Sequence, residues 1–272
     1  MFPVTGWGQP GTDIWLFELK AVKASRVAVN GKNITLRPGY DNQPFFHPDK
    51  AVVYYSSAQD DGRTDIKEYD IKTGRFSLVT QTADREYSPT VTPDGKFISC
   101  IIQRDNGAQD LGRFPISGGP AEVLIDNLKV GYHAWMNSGV VLVFVLGDVM
   151  TLHAIDVQEK SDVILAGNIG RSLHRMPGMP AVSFVQKGAE PWTIRMVRSG
   201  NYLLEDYGAT LTGREDLAWL PGGEVLMSDG NKLFTRSKTS DWKEITLQPS
   251  LAGISRVAVD RSGKYLAVVV NE

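Results

Sequence analysis

One cysteine, Cys100, occurs in 272 residues. No disulfide can form within the chain, so a small disulfide-stapled scaffold is excluded and the fold must rest on its own core. Cys100 lies in the apolar run Phe97-Ile98-Ser99-Cys100-Ile101-Ile102, where a small buried residue is expected rather than a reactive thiol. Charge of one sign is also lacking: 29 Lys and Arg stand against 31 Asp and Glu, a net charge of −2. With no basic run and no aromatic residues interleaved with basic ones, nucleic acid and anionic membranes are poor partners. The longest apolar run, Gly139 to Gly147, falls far short of the ~20 residues of a membrane span and reads as a buried strand. No segment has a helical period of useful length. The start of the chain, Met1 to Pro10, has neither the basic nor the apolar region of a secretory signal. That fits either a cytoplasmic protein or one whose leader is absent from this sequence.

Catalytic signatures are missing as well. There is no Gly-x-Ser-x-Gly elbow, no phosphate loop and no His-Glu-x-x-His. Gly6-Trp7-Gly8-Gln9-Pro10-Gly11 matches the dinucleotide pattern, but no strand precedes it and Pro10 opposes a following helix, so residues 1–11 read as a flexible leader. Asp60-Asp61-Gly62-Arg63-Thr64-Asp65 has the composition of a calcium loop with the wrong spacing and reads as a solvated hairpin. Asn33-Ile34-Thr35 is formally a glycosylation sequon and is read as part of an outer strand.

What is present is a repeat. Asp41-Asn42-Gln43-Pro44-Phe45-Phe46-His47-Pro48-Asp49 and Tyr87-Ser88-Pro89-Thr90-Val91-Thr92-Pro93-Asp94-Gly95 are its clearest copies. Weaker ones end in turns at Asn137, Pro177, Pro221 and Arg261. A period of about 40–45 residues with several short strands per unit marks a β-propeller. In the first unit, the segments Phe45–His47, Ala51–Ser56, Asp65–Ile71 and Arg75–Thr80 are separated by turn residues and supply strands a to d. The same order recurs to the end, but the last unit stops after its second strand, Tyr265–Val270. Thr12–Leu19 resembles a third strand and Lys32–Leu36 a fourth, so the beginning of the chain is expected to complete the last blade. The expected fold is therefore all-β: a six-bladed propeller of four-stranded antiparallel blades, one domain over 1–272. Its last blade is shared between 12–37 and 254–272 and leaves no open inner edge.

Tyr87-Ser88-Pro89-x-x-x-Pro93-Asp94-Gly95-Lys96, followed by an apolar strand and an Asp-Ile strand as at Asp65-Ile66, resembles the WD40-like PD40 repeat of TolB-type propellers. The likeness spans the chain and weakens after the second unit, where Pro-Asp-Gly gives way to Asn137-Ser138-Gly139 or Arg261-Ser262-Gly263. The resemblance implies a rigid ring that binds protein or peptide partners in the bacterial periplasm or outside the cell, as a monomer, with no cofactor and no reaction implied.

The approach to each innermost strand should line one mouth of the central channel. That brings together Asp41 and Gln43, Glu86 and Tyr87, Tyr132 and His133, Arg171 and His174, Arg214 and Asp216, and Arg256. One reading is a water-filled channel whose polar side chains satisfy one another. Another is a binding site for a peptide, or for a small polar or anionic ligand met by Arg171, Arg214 and Arg256. A third is a divalent metal between His133, His174 and a carboxylate, serving a lyase or lactonase, although two histidines without a local spacing commit to no metal. His47 and His153 fall away from the channel. Trp135 and Trp219 occupy matching positions and are expected to pack between blades.

Overall fold

The structure, a computed structural model, describes residues 9–22 and 25–272. In chain order its strands are β1 (Thr12–Val22), β2 (Ser25–Asn33), β3 (Asp41–Phe46), β4 (Val52–Ala58), β5 (Thr64–Asp70), β6 (Phe76–Leu78), β7 (Arg85–Val91), β8 (Phe97–Gln103), β9 (Gln109–Pro115) and β10 (Glu122–Ile125). They continue as β11 (Val130–Trp135), β12 (Val140–Val145), β13 (Thr151–Asp156), β14 (Ser161–Gly167), β15 (His174–Arg175), β16 (Ala181–Gln186), β17 (Thr193–Arg198) and β18 (Leu204–Ala209). The last are β19 (Leu217–Trp219), β20 (Val225–Ser228), β21 (Leu233–Arg236), β22 (Lys243–Leu247), β23 (Ile254–Val259) and β24 (Tyr265–Asn271).

Consecutive fours of strands form the antiparallel sheets β3–β6, β7–β10, β11–β14 and β15–β18. The remaining eight strands make one sheet in the order β19-β20-β21-β22-β2-β1-β24-β23. Its two halves meet through a short parallel contact, Val27 opposite Thr246 and Ala28 opposite Leu247. The chain is thus a propeller of four-stranded blades, and burial follows the order within each blade. Second strands are buried on both faces, as Val141 to Val145 of β12 are, and so read as unbroken apolar runs. Outer strands face solvent, most clearly β14.

The closure expected from the sequence is present. β1 pairs antiparallel with β24, Trp15 opposite Val268 and Glu18 opposite Tyr265, so the two ends of the chain complete one blade. Leu266, Ala267, Val268 and Val269 have no exposed surface at all, and each such side chain stabilises the fold by roughly 1–3 kcal/mol. The outer strand of this blade is not where the sequence placed it. Instead of Lys32–Leu36 it is Ser25–Asn33, and the sequon residue Asn33 ends it. The Asn33 carboxamide oxygen accepts from the backbone N–H of Thr35 and Leu36 (3.0 and 2.9 Å), while its amide donates to Asp13 (2.8 Å). An asparagine that satisfies a turn in this way stops the ladder. Of the expected leader, residues 1–8 lie outside the described residues; its last member, Gly11, accepts a hydrogen bond from the Glu272 N–H (3.1 Å).

The repeated turn has a plain physical basis. At Pro93-Asp94-Gly95, Asp94 Oδ1 accepts from the Thr92 hydroxyl (2.6 Å) and the Lys96 N–H (3.1 Å), and Gly95 takes a φ of 70°. Asn137 does the same work for Gly139 and Val140, and in the first unit His47 Nδ1 accepts from the N–H of Asp49 and Lys50. The repeat therefore conserves a function, a side-chain acceptor ahead of a tight turn, more than it conserves Pro-Asp-Gly.

Candidate functional site

The first two units enter their inner strands through the same distortion. Gln43 and Ser88 both have left-handed backbone (φ 57° and 55°), each precedes a proline, and each sits at a break in strand register. Holding a non-glycine residue there costs of order 1–3 kcal/mol, offset by surrounding contacts. Gln43 Oε1 supplies one, accepting from the Ser56 hydroxyl (2.7 Å) and the Ser88 N–H (2.9 Å), which ties the first blade to the second.

Opposite these bulges lies a charged cluster. Arg171 donates to Asp216 (Nη2 to Oδ2, 2.7 Å), and its own backbone N–H donates to Glu215 (2.9 Å). Lys187 also reaches Glu215 (3.1 Å). Arg256, on β23, lies 3.6 Å from Asp216 through Nε and donates from Nη2 to the Tyr132 hydroxyl at 3.3 Å. The Arg256 guanidinium also sits 5.2 Å above the Tyr132 ring. Tyr132 belongs to β11, so this contact joins two blades well separated in the chain. Tyr40 and Tyr87 pack edge to face beside it, 6.2 Å between ring centres.

Burial raises the Tyr132 phenol, but Arg256 and Arg171 outweigh it and hold the group below the usual tyrosine range. Tyr40, in the same neighbourhood, goes the other way: burial dominates and raises it. Beside Arg171 and Arg256 opens a cleft of about 420 Å³, bounded by Arg214, Asp229, Asn231, Ser255 and Asn271. Arg214 is exposed there and bonds the Asp229 carbonyl.

Of the residues the sequence nominated, Gln43, Tyr87, Tyr132, Arg171, Asp216 and Arg256 fall into this neighbourhood, and Arg214 stands on the cleft rim. Asp41, Glu86 and His133 do not reach an open surface, and Gln43 is buried as well. Asp41 is wholly buried, salt-bridged to Arg37 (2.9 Å), with its second oxygen unpaired. Burial raises its carboxyl.

Glu86 is wholly buried between the first two blades, accepting from Thr82 (2.5 Å) and Thr80 (3.1 Å). Burial pushes it up to about 7, with Asp65 beside it adding to the rise. Alternation along β7 does not show this, because the register break at Ser88 puts Glu86 out of phase with the buried Pro89 and Val91. Sequence reading placed Glu215 at the mouth beside Asp216 but missed Tyr40 and Lys187 as partners in the cluster. No periodic signal marks them, because they lie in the connections between strands or at a strand's outer end.

Both proposed metal histidines are already engaged by hydroxyls. His133 Nε2 meets Ser99 Oγ at 2.7 Å and His174 Nε2 meets Ser172 Oγ at 2.9 Å. Burial lowers them to about 3 and about 4, so both are neutral imidazoles. Among the described residues no three His, Cys, Asp or Glu side chains are grouped to hold a metal ion. His153 lies on β13 as expected, bridging Thr151 (2.9 Å) and Asp162 (2.8 Å) as a clasp between β13 and β14. The tryptophans pack between blades: Trp135 donates to Ser99 and Trp219 to Ser183, each at 2.8 Å.

No family model and no curated protein matches the chain. Solved structures do. TolB from Acinetobacter baumannii superposes with a TM-score of 0.62 at 13% identity over 95% of this chain, and the chain spans 63% of that protein's length. A candidate TolB from Agrobacterium tumefaciens gives 0.74 at 14% identity, with 97% and 99% of the two chains covered. A chain from a nidogen–laminin complex gives 0.65 at 11% identity, covering 96% and 98%. Among the described residues no helix is long and apolar enough to cross a membrane. The fold is that of the TolB-like β-propellers.

Proposed function

We propose that the protein is a non-catalytic binding ring that receives a peptide or protein segment at this channel mouth. The observation that carries the reading is the convergence of Tyr132, Arg171, Asp216 and Arg256 from separate blades beside an open cleft of about 420 Å³. Side chains that converge from different blades onto one concave, polar surface are a binding constellation. Function is argued from this site, since a fold of this kind hosts many functions. In the same sense, the chain in the nidogen–laminin complex belongs to a protein–protein assembly.

We read the eight-stranded sheet as two blades, which makes the ring six-bladed and one domain. Six apolar clusters among the described residues support this count. One of them joins Leu226, Leu233 and Ile245 to Phe17, Val257 and Leu266, across the two halves of that sheet. A periplasmic or extracellular setting follows from the TolB likeness and is checked by locating the native protein in fractionated cells.

The binding reading is tested with peptides selected on the wild-type protein by display. Asn231 is exposed on the cleft rim, and its side chain holds no part of the fold, so Asn231→Trp fills the mouth sterically. Selected peptides should lose most of their affinity for this variant; undiminished binding would place the docking surface elsewhere.

A further inference from the structure

We infer that the mouth is a carboxylate receptor, in which Arg256 takes a terminal or side-chain carboxylate of the bound peptide and Tyr132 is the group that gives way. This rests on the binding reading above and names the chemistry it would select. The argument starts from an imbalance of charge. Asp216 is held by Arg171 at 2.7 Å and stands 3.6 Å from Arg256. Glu215 is taken by Lys187 and by the Arg171 backbone. The carboxylate contact of Arg256 is therefore a long, shared one, and its other polar contact is a neutral phenol at 3.3 Å.

A guanidinium with 17% of its side chain exposed has lost much of its hydration and needs a counter-charge to offset that loss. The arginine fork matches a carboxylate with two parallel hydrogen bonds, which one phenol oxygen does not supply. The field at the mouth agrees independently: against the larger effect of burial, Arg256 and Arg171 still hold the Tyr132 phenol low. One uncompensated charge calls for one negative charge. A carboxylate supplies that, whereas a phosphate dianion would crowd Asp216. Tyr87, half-buried beside Tyr40, offers an aromatic edge that suits a peptide chain around that carboxylate.

The test follows the arginine Nε–Hε signals by NMR at constant ionic strength, with N-acetylglycinate as probe and N-acetylglycinamide as its neutral counterpart. The Arg256 signal should shift saturably with the carboxylate and not with the amide. Arg256→Gln should abolish the response, read on the Arg171 signal. Asp216→Asn, which removes the competing carboxylate, should tighten binding about fivefold or more, and Tyr132→Phe should keep or improve it. These two variants retain Arg256, so the inference stays testable if Arg256→Gln fails to fold.

Equal shifts with acid and amide, no saturable shift, binding lost in Tyr132→Phe, or inorganic phosphate binding more tightly than the carboxylate would each overturn it. A selected peptide that is blocked by Asn231→Trp yet binds Arg256→Gln as well as wild type would sink the carboxylate receptor and leave the docking site standing.

Discussion

Replacing Glu86 by glutamine should make the protein more stable at neutral pH and leave it unchanged in acid. Glu86 has no exposed surface, and its carboxyl is raised to about 7, chiefly by burial. In the unfolded chain it returns to the ordinary value of 4.5. Between these two values the folded state binds the extra proton, so stability from this group is fully present below pH 4.5 and is lost as pH rises through about 7. The difference corresponds to roughly 3 kcal/mol at pH 8. Asp65, also raised mainly by burial, acts with the same sign at lower pH.

Glutamine resembles the protonated acid. Its oxygen accepts from Thr82, and its amide faces Asp65, leaving Thr80 to donate to Asp65, from which it lies 3.3 Å. The stability gap between Glu86→Gln and wild type should open from near zero at pH 4.5 to a few kcal/mol at pH 8, read by urea unfolding across that range. Taking the difference cancels the histidines, whose lowered values work in the opposite direction. Parallel curves from pH 4.5 to 8 would refute the reasoning.

Ser99 receives the Trp135 indole and meets His133, so Ser99→Ala leaves two buried groups unpaired; it should cost roughly 2–4 kcal/mol in denaturant unfolding, against roughly 1–2 for Ser183→Ala, which frees the Trp219 indole. His133 and His174 should stay neutral from pH 8 to pH 5, their imidazole Cε1–H NMR signals fixed while an exposed histidine would titrate, because burial holds them at about 3 and about 4. The same two groups should erode stability as pH falls below 6.5, where the unfolded chain binds the protons that the folded one excludes. Removing Lys264 to Glu272 deletes β24, unpairs both β1 and β23, and should abolish the cooperative thermal transition measured by circular dichroism.

The sequence determined the blade pattern, because that pattern is local. A hydrophobic second strand such as Val140–Val145, a tight turn with an acceptor before it, and a polar outer strand are each set by neighbours a few residues apart. Joining Thr12–Leu19 to Tyr265–Val270 was also legible, since each end carried half of a recognisable unit. The register of β2 was not legible, because Asn33 reads equally as a strand residue and as the turn former it proves to be.

At the mouth, the sequence named most of the residues but not their allegiances. It placed Glu86 beside Tyr87 as a channel residue. Strand alternation and the inter-blade pair with Asp65 bury one and leave the other partly open. It grouped Arg171, Arg214 and Arg256 as equals, yet only the ring decides that Arg171 holds Asp216, that Arg214 stays on the rim, and that Arg256 meets Tyr132 from another blade. Strand and turn formation is encoded within a few residues. Charge pairing across a channel depends on the curvature and closure of the whole ring, and that information exists only once the chain is folded.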